Sequence, residues 1–280
     1  MKKSAILALA AALIPLSAAA QLSPDYYKSQ YRRQVKALGA DGVGVETIID
    51  KWERVAPQDG EMLEARFTYY LTKSRSTQIV QKDQPRFLGE KPALTLKDSL
   101  GRDVNYFRED FYVDSLFARA LTAIDKAISF HPEELSYRFD KITALSAFEK
   151  ESPDMAFSEV MKLIDHDAAS HPQWTYLLEK AEDDLFVQAV QEYCYGFYKV
   201  GTPVGYEAFL AVSTRMSKLC PDNSVFLSNI GTYWLIAKDN KKKALSWYKK
   251  ALKVNPEDFA ATSNIKIIQS SQSGKGRSSK

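Results

Sequence analysis

Residues 224–256 read SVFLSNIGTYWLIAKDNKKKALSWYKKALKVNP. Leu227, Ile230, Gly231 and Trp234 recur at helical spacing on one face of the first half, and Ala244, Leu245, Tyr248, Ala251 and Leu252 do the same in the second. Lys238-Asp239-Asn240 is a polar break between them, and Pro256 stops the second helix. The stretch is thus two short amphipathic helices folded back on each other. Gly231 and Ala251 lie where two helix axes must approach to about 8–10 Å, a separation that larger side chains would prevent.

This pattern resembles the tetratricopeptide (TPR) repeat, W-x2-L-G-x2-Y, then A-x3-F, then a small residue and a proline. Leu227 stands for the Trp, Ile230 for the Leu, Gly231 for the Gly, Trp234 for the Tyr, Ala244 for the Ala and Tyr248 for the Phe. Ala251 and Pro256 complete the match, with one extra residue between Gly231 and Ala244. A second good match, without a gap, is Ala120, Ile124, Ala127 and Pro132.

The rest of the chain follows by periodicity. Ser23-Pro24-Asp25 starts a helix that should reach about Leu38, with a hydroxyl cap, an early proline and an early acid. Gly39 and Gly42 turn the chain into a return helix lined by Val45, Ile49 and Trp52. A helix over 61–74, with Leu63, Phe67 and Tyr70, finds its partner only at 114–130. The insertion between them, residues 75–112, far exceeds the usual helix–helix connection. Within it, 93–96 and 104–107 flank the turn cluster 98–102 and predict a β-hairpin. A third hairpin uses Phe139, Ile142 and Leu145, then Ala156, Val160 and Leu163. A fourth has a long helical passage from Trp174 to Val200, broken near Glu182-Asp183-Asp184, and a return helix with Phe209, Val212 and Met216. A closing helix over 259–268 precedes a basic Ser/Gly/Lys/Arg tail, 270–280, expected to be disordered.

The N-terminus is separate. Lys2 and Lys3 precede an apolar run from Ala5 to Leu16 and then Ala18-Ala19-Ala20, the form of a signal peptide cut before Gln21. A periplasmic or secreted protein is therefore expected. Without those two lysines the 38 basic residues fall to 36, against 35 acidic. A near-neutral body gives no electrostatic reason to expect nucleic acid. Cys194 and Cys220 lie at opposite ends of antiparallel neighbouring helices, on the order of 15 Å apart, beyond disulfide reach; two free thiols are expected.

Catalytic machinery is not legible. There are three histidines, no glycine-rich phosphate loop and no GxSxG elbow. Asp165-His166-Asp167 with His171 could hold a divalent cation if the segment were a loop folded around it. Glu133-Glu134 and Asp183-Asp184 fall at predicted helix starts, where the helix dipole accounts for them.

The resemblance implies an all-α, right-handed, TPR-like α-solenoid of about five helix hairpins over 21–269, interrupted by the 75–112 insertion. It also implies a non-enzymatic scaffold, without cofactor or metal, whose first helices line a concave groove for a partner peptide or helix, possible roles being envelope or surface assembly. One branch of the family grips a C-terminal carboxylate with Lys and Asn; the corresponding groove positions here are Ser228 and Thr232. The groove candidates are Tyr69, Tyr70, Asn229, Thr232 and Tyr233. The competing expectation is an enzyme or carbohydrate-binding protein with its site built by the insertion.

Overall fold

A computed structural model describes residues 22–275; the expected signal peptide and residues 276–280 lie outside the described residues. The helices come in antiparallel pairs: α1 (Pro24–Leu38) with α2 (Val45–Val55), α3 (Gly60–Ser74) with α4 (Asp114–Phe130), α5 (Leu135–Glu149) with α6 (Asp154–Ser170), α7 (Leu185–Val200) with α8 (Pro203–Leu219), and α9 (Ser224–Ile236) with α10 (Lys241–Val254). α11 (Phe259–Lys275) packs on α10 and α9. The stacked hairpins form the expected all-α, TPR-like solenoid, with small sheets as minor elements.

Local chemistry sets the helix starts. Ser23, Asp59, Glu134, Thr202, Asn223 and Asn240 each accept a first-turn amide through the side chain. Asp59 does two jobs, since its second oxygen takes the Trp52 indole N–H at 2.9 Å and so ties α2 to the start of α3. At the far end Asp258 accepts the hydroxyls of Ser224 and Ser228 at 2.7 and 2.8 Å while capping α11 through the Ala261 amide.

Packing explains the small residues. A Cβ on Gly231 would lie 2.7 Å from the ring of Tyr248, which is fully buried. Fully burying a side chain such as Phe226 or Leu63 contributes about 1.5–3 kcal/mol, and only close approach of the helices lets each be covered. The buried side chains form two bodies. One runs from Val45 in α2 to Tyr233 in α9; the other joins Ala244, Tyr248 and Ala251 to Ala261 and Ile268 of α11.

Four features differ from the sequence expectation. The insertion is a three-stranded antiparallel sheet, not a lone hairpin: β1 (Arg75–Lys82) continues directly from α3 and pairs with β3 (Asp103–Tyr112), which also pairs with β2 (Leu94–Lys97), in the order β1-β3-β2. The first five residues of β1 show no alternation in burial, so the period-2 signal is missing there. Second, 174–184 is not helical. It carries a hairpin of β4 (Thr175–Tyr176) and β5 (Glu179–Lys180), with Leu177 and Leu178 at positive φ in its two-residue turn. Third, Glu134 has more to do than answer a dipole. Buried at the start of α5, it accepts the Ser136 amide and hydroxyl, the Thr175 hydroxyl and the amides of Leu177 and Leu178, and so holds that turn. Burial works to raise its carboxyl, but these hydrogen bonds outweigh it and hold the group below the usual carboxylate range. Fourth, α11 extends through Lys275, past the expected boundary at Ser270.

Both cysteines are free. Cys194 is fully buried 3.7 Å from the Ser213 hydroxyl, and burial pushes its thiol up to about 12.

Gly231→Ala should therefore destabilise the C-terminal hairpin by about 1–3 kcal/mol, the usual cost of overpacking a filled contact. Urea unfolding followed by tryptophan fluorescence reads it through Trp234 and Trp247. A midpoint equal to the parent's would show that the glycine is not what sets the approach of α9 and α10.

Candidate functional site

The first helices of the second, third and fourth hairpins present a groove. Along α5, Asp140, Thr143, Ser146 and Ala147 recur at helical spacing, and the last three are exposed although the opposite face supplies Ile142 and Leu145 to the core. On α7, Glu192, Tyr193, Gly196 and Lys199 form the facing row. Tyr193 bridges the two helices, with a hydrogen bond to Thr143 and its ring 6.1 Å from Phe139.

The insertion roofs this groove. Phe87 and Glu90 exchange backbone hydrogen bonds of 3.1 and 2.9 Å around Leu88 and Gly89, both at positive φ. Gly89 is pressed onto α7: a Cβ there would meet Lys199 Cε at 2.9 Å, and φ of +77° already favours glycine. Two ion pairs fasten the roof. Lys199 Nζ meets Glu90 at 2.6 Å, and Lys150 Nζ, at the end of α5, meets Glu109 of β3 at 2.5 Å, with Lys82 on the other Glu109 oxygen at 3.0 Å. Burial tends to raise Glu109, but the two lysines outweigh it and hold the carboxyl below its ordinary value. Tyr112 of β3 packs on Phe117 and Phe148, closing the joint between sheet and helices.

Two adjoining cavities result. One of about 370 Å³ lies between Leu88 above and Thr143, Ser146, Tyr193, Gly196 and Phe197 below. The other, about 580 Å³, lies between the sheet and the end of α5, and Lys91, Arg108 and Lys150 are among its lining residues. Leu88 and Lys150 border both. The Gly196 position is exposed, and a Cβ built on it meets nothing within 4 Å. A mid-helix glycine is unfavourable by about 0.5–1 kcal/mol relative to alanine, so packing gives no reason for this one.

Away from the insertion the groove is acidic. Glu64 of α3 is raised to about 7, by burial first and then by the charges of Asp140, Glu61 and Glu134. Burial raises Asp140 to about 6. Neither carboxylate has an ion pair among the described residues. The buried Tyr137 hydroxyl, set against Gly60 and near Glu64, has no hydrogen-bond partner among the described residues.

The five residues singled out from sequence sit in two separate hairpins. Tyr69 and Tyr70 are buried, and their hydroxyls bond the two oxygens of Glu46 on α2 at 3.0 and 2.6 Å, with Arg119 stacked 4.0 Å over Tyr70. Tyr233 is buried with its hydroxyl 2.6 Å from Glu207 of α8. Thr232 faces Tyr248, its hydroxyl 3.1 Å from the phenol. Asn229 is half-buried.

The Asp165-His166-Asp167 segment is helical, not a loop. Asp165 pairs with Arg215 at 2.9 Å, Asp167 accepts the Trp174 indole N–H at 2.9 Å, and the His166 ring lies against Trp174. Both carboxylates thus have partners, Asp165 in an exposed ion pair and Asp167 on the Trp174 indole, and no group of three or more His, Cys, Asp or Glu among the described residues is placed to hold a metal. Sequence reasoning missed Thr143, Ser146 and Gly196. The legible signal was a glycine between Tyr195 and Phe197 inside a strongly apolar helix.

No family model matches the chain, and no curated protein matches it. Among solved structures the chain is similar to YrrB, described as a TPR protein with an unusual peptide-binding site, at 12% identity over 87% of this chain and 92% of that one, with a TM-score of 0.40. It is also similar to MamA, residue 41 to the end, from Desulfovibrio magneticus RS-1, at 12% identity over 84% and 97% of the two chains, with a TM-score of 0.37.

Gly196→Ala should stabilise the fold by about 0.5–1 kcal/mol, read as a higher urea midpoint; a lower one would mean that the space above α7 is not open. The acid pair carries a pH signature. Its folded-state values lie above the unfolded ones near 4, so the stability it permits is full below that pH and is lost as pH rises through about 6 and 7. Between pH 5 and 8 the parent should lose more stability than Glu64→Gln; parallel curves would place Glu64 in an ordinary aqueous setting.

Proposed function

We propose that the protein is an exported, non-enzymatic interaction scaffold that binds a segment of a partner protein in the groove of α5 and α7 beneath the insertion. The observation that carries this reading is the roof: an insertion fastened over the groove by Glu109–Lys150 from its sheet and Glu90–Lys199 from the β1–β2 connection, while Thr143 and Ser146 beneath it stay exposed. A lid that served stability alone would close down onto that floor and leave no space. Here Thr143 and Ser146 stay exposed under Leu88. Long ordered insertions at one edge of a repeat stack commonly carry binding.

Export is supported by Lys2, Lys3 and the short apolar run that follows. No described helix is long and apolar enough to cross a membrane. Periplasmic or secreted placement fits a role in assembling or organising envelope or surface components. Asn229 gives the fifth hairpin a side-chain amide suited to holding a peptide backbone, which would extend the contact beyond the roofed segment.

A photocrosslinking residue, p-benzoylphenylalanine, placed at Ser146 should capture one specific protein in intact cells, and the same residue at Lys126, exposed on α4, should not. Removing 83–92 should abolish capture while circular dichroism stays helical. Equal capture from both positions, or capture that survives the deletion, would overturn the reading.

A further inference from the structure

The pocket above Gly196 and the charges around it define the chemistry of the segment that fits. Resting on the groove reading above, we infer that the groove takes an extended segment carrying a bulky apolar side chain, seated above Gly196, and a Lys or Arg beside it, facing Asp140 and Glu192.

The apolar anchor follows from the cavity. Leu88 and Phe197 give it apolar walls, Tyr193 gives a ring edge, and the missing side chain at Gly196 leaves the floor open. A glycine that relieves no clash inside a helix is a standing cost to the helix. Its use here is the volume it leaves free. About 370 Å³ accommodates one aromatic or large aliphatic side chain with its backbone.

The cation follows from charge complementarity. The basic groups of the floor are already neutralised, Lys150 by Glu109 and Lys199 by Glu90. Asp140 and Glu192, with Glu64 one helix away, form no ion pair among the described residues. Asp140 is near enough to Tyr193, which lines the pocket, to act on its hydroxyl. The unpaired cations Lys91 and Arg108 belong to the neighbouring cavity under the sheet, on the other side of Leu88. The cationic side chain therefore faces away from the insertion, along α5 toward Asp140. From Asp140 to Ser146 is about 9 Å of helix, the span of roughly three extended residues, so anchor and cation sit two or three positions apart.

Three capped, fluorescent peptides test this by anisotropy on the full chain: Gly-Lys-Gly-Phe-Gly-Gln-Gly, the same with Glu for Lys, and the same with Ala for Phe. The Lys-Phe probe should bind about tenfold tighter than either of the others, Asp140→Asn should remove most of the preference for Lys over Glu, and Gly196→Leu should abolish binding with an unchanged helical spectrum. Gly196→Ala, which keeps the helix, should weaken binding by a smaller factor. Equal binding of the Lys and Glu probes, abolished by Gly196→Leu, would overturn the cation assignment and leave the groove reading standing. Binding indifferent to Gly196→Leu, or no binding by any probe at about 1 mM, would overturn the inference, and capture from Ser146 then decides separately whether the groove binds at all.

Discussion

Close approach between helices is the constraint on which everything else in this protein depends. A single amphipathic hairpin cannot cover its own apolar face, so each is stable only when the next lies against it. The approach is possible because glycine or alanine stands at the crossing points: Gly231 against Tyr248, and Ala120, Ala123 and Ala127 in α4 against α3. Stacking in one direction also leaves one row of helices with a face that no neighbouring helix covers.

Polar contacts then fix what apolar packing leaves loose. Asp59, Glu134 and Asp258 are carboxylates at helix starts, and each also receives a side chain from another helix or from a neighbouring hairpin. One acid thus caps a helix and sets the position of its neighbour. The insertion uses the same economy in ion pairs: Glu109 accepts from Lys82 within the sheet and from Lys150 in the stack. Such pairs, partly shielded from water, hold geometry better than fully exposed ones, whose contribution is small.

The stack itself was readable because apolar residues at a period of 3.6 and small residues at contacts are local signals. The bounds 114–130 for α4, and the antiparallel pairing of β2 with β3 around the 98–102 turn, were legible for that reason. What escaped were features with no local signal. β1 is an edge strand whose first five residues are all exposed, so alternation had nothing to register. The Leu177-Leu178 turn is held in an unusual conformation by a carboxylate more than forty positions away, and no neighbour in sequence announces it. Tyr69, Tyr70 and Tyr233 were visible as aromatics on first helices, but the acids that receive their hydroxyls, Glu46 and Glu207, sit on the second helices of the preceding hairpins. The groove floor hid for the opposite reason. Thr143 and Ser146 are unremarkable until Leu88 is seen above them.

The division of the interior into two bodies has a mechanical consequence. The seam between them lies at α9, with Trp234 packed against both sides, and the whole groove belongs to the larger body. Tension applied at the C-terminal end would therefore be carried by α11 and α10 before it reached the body that holds the roofed segment.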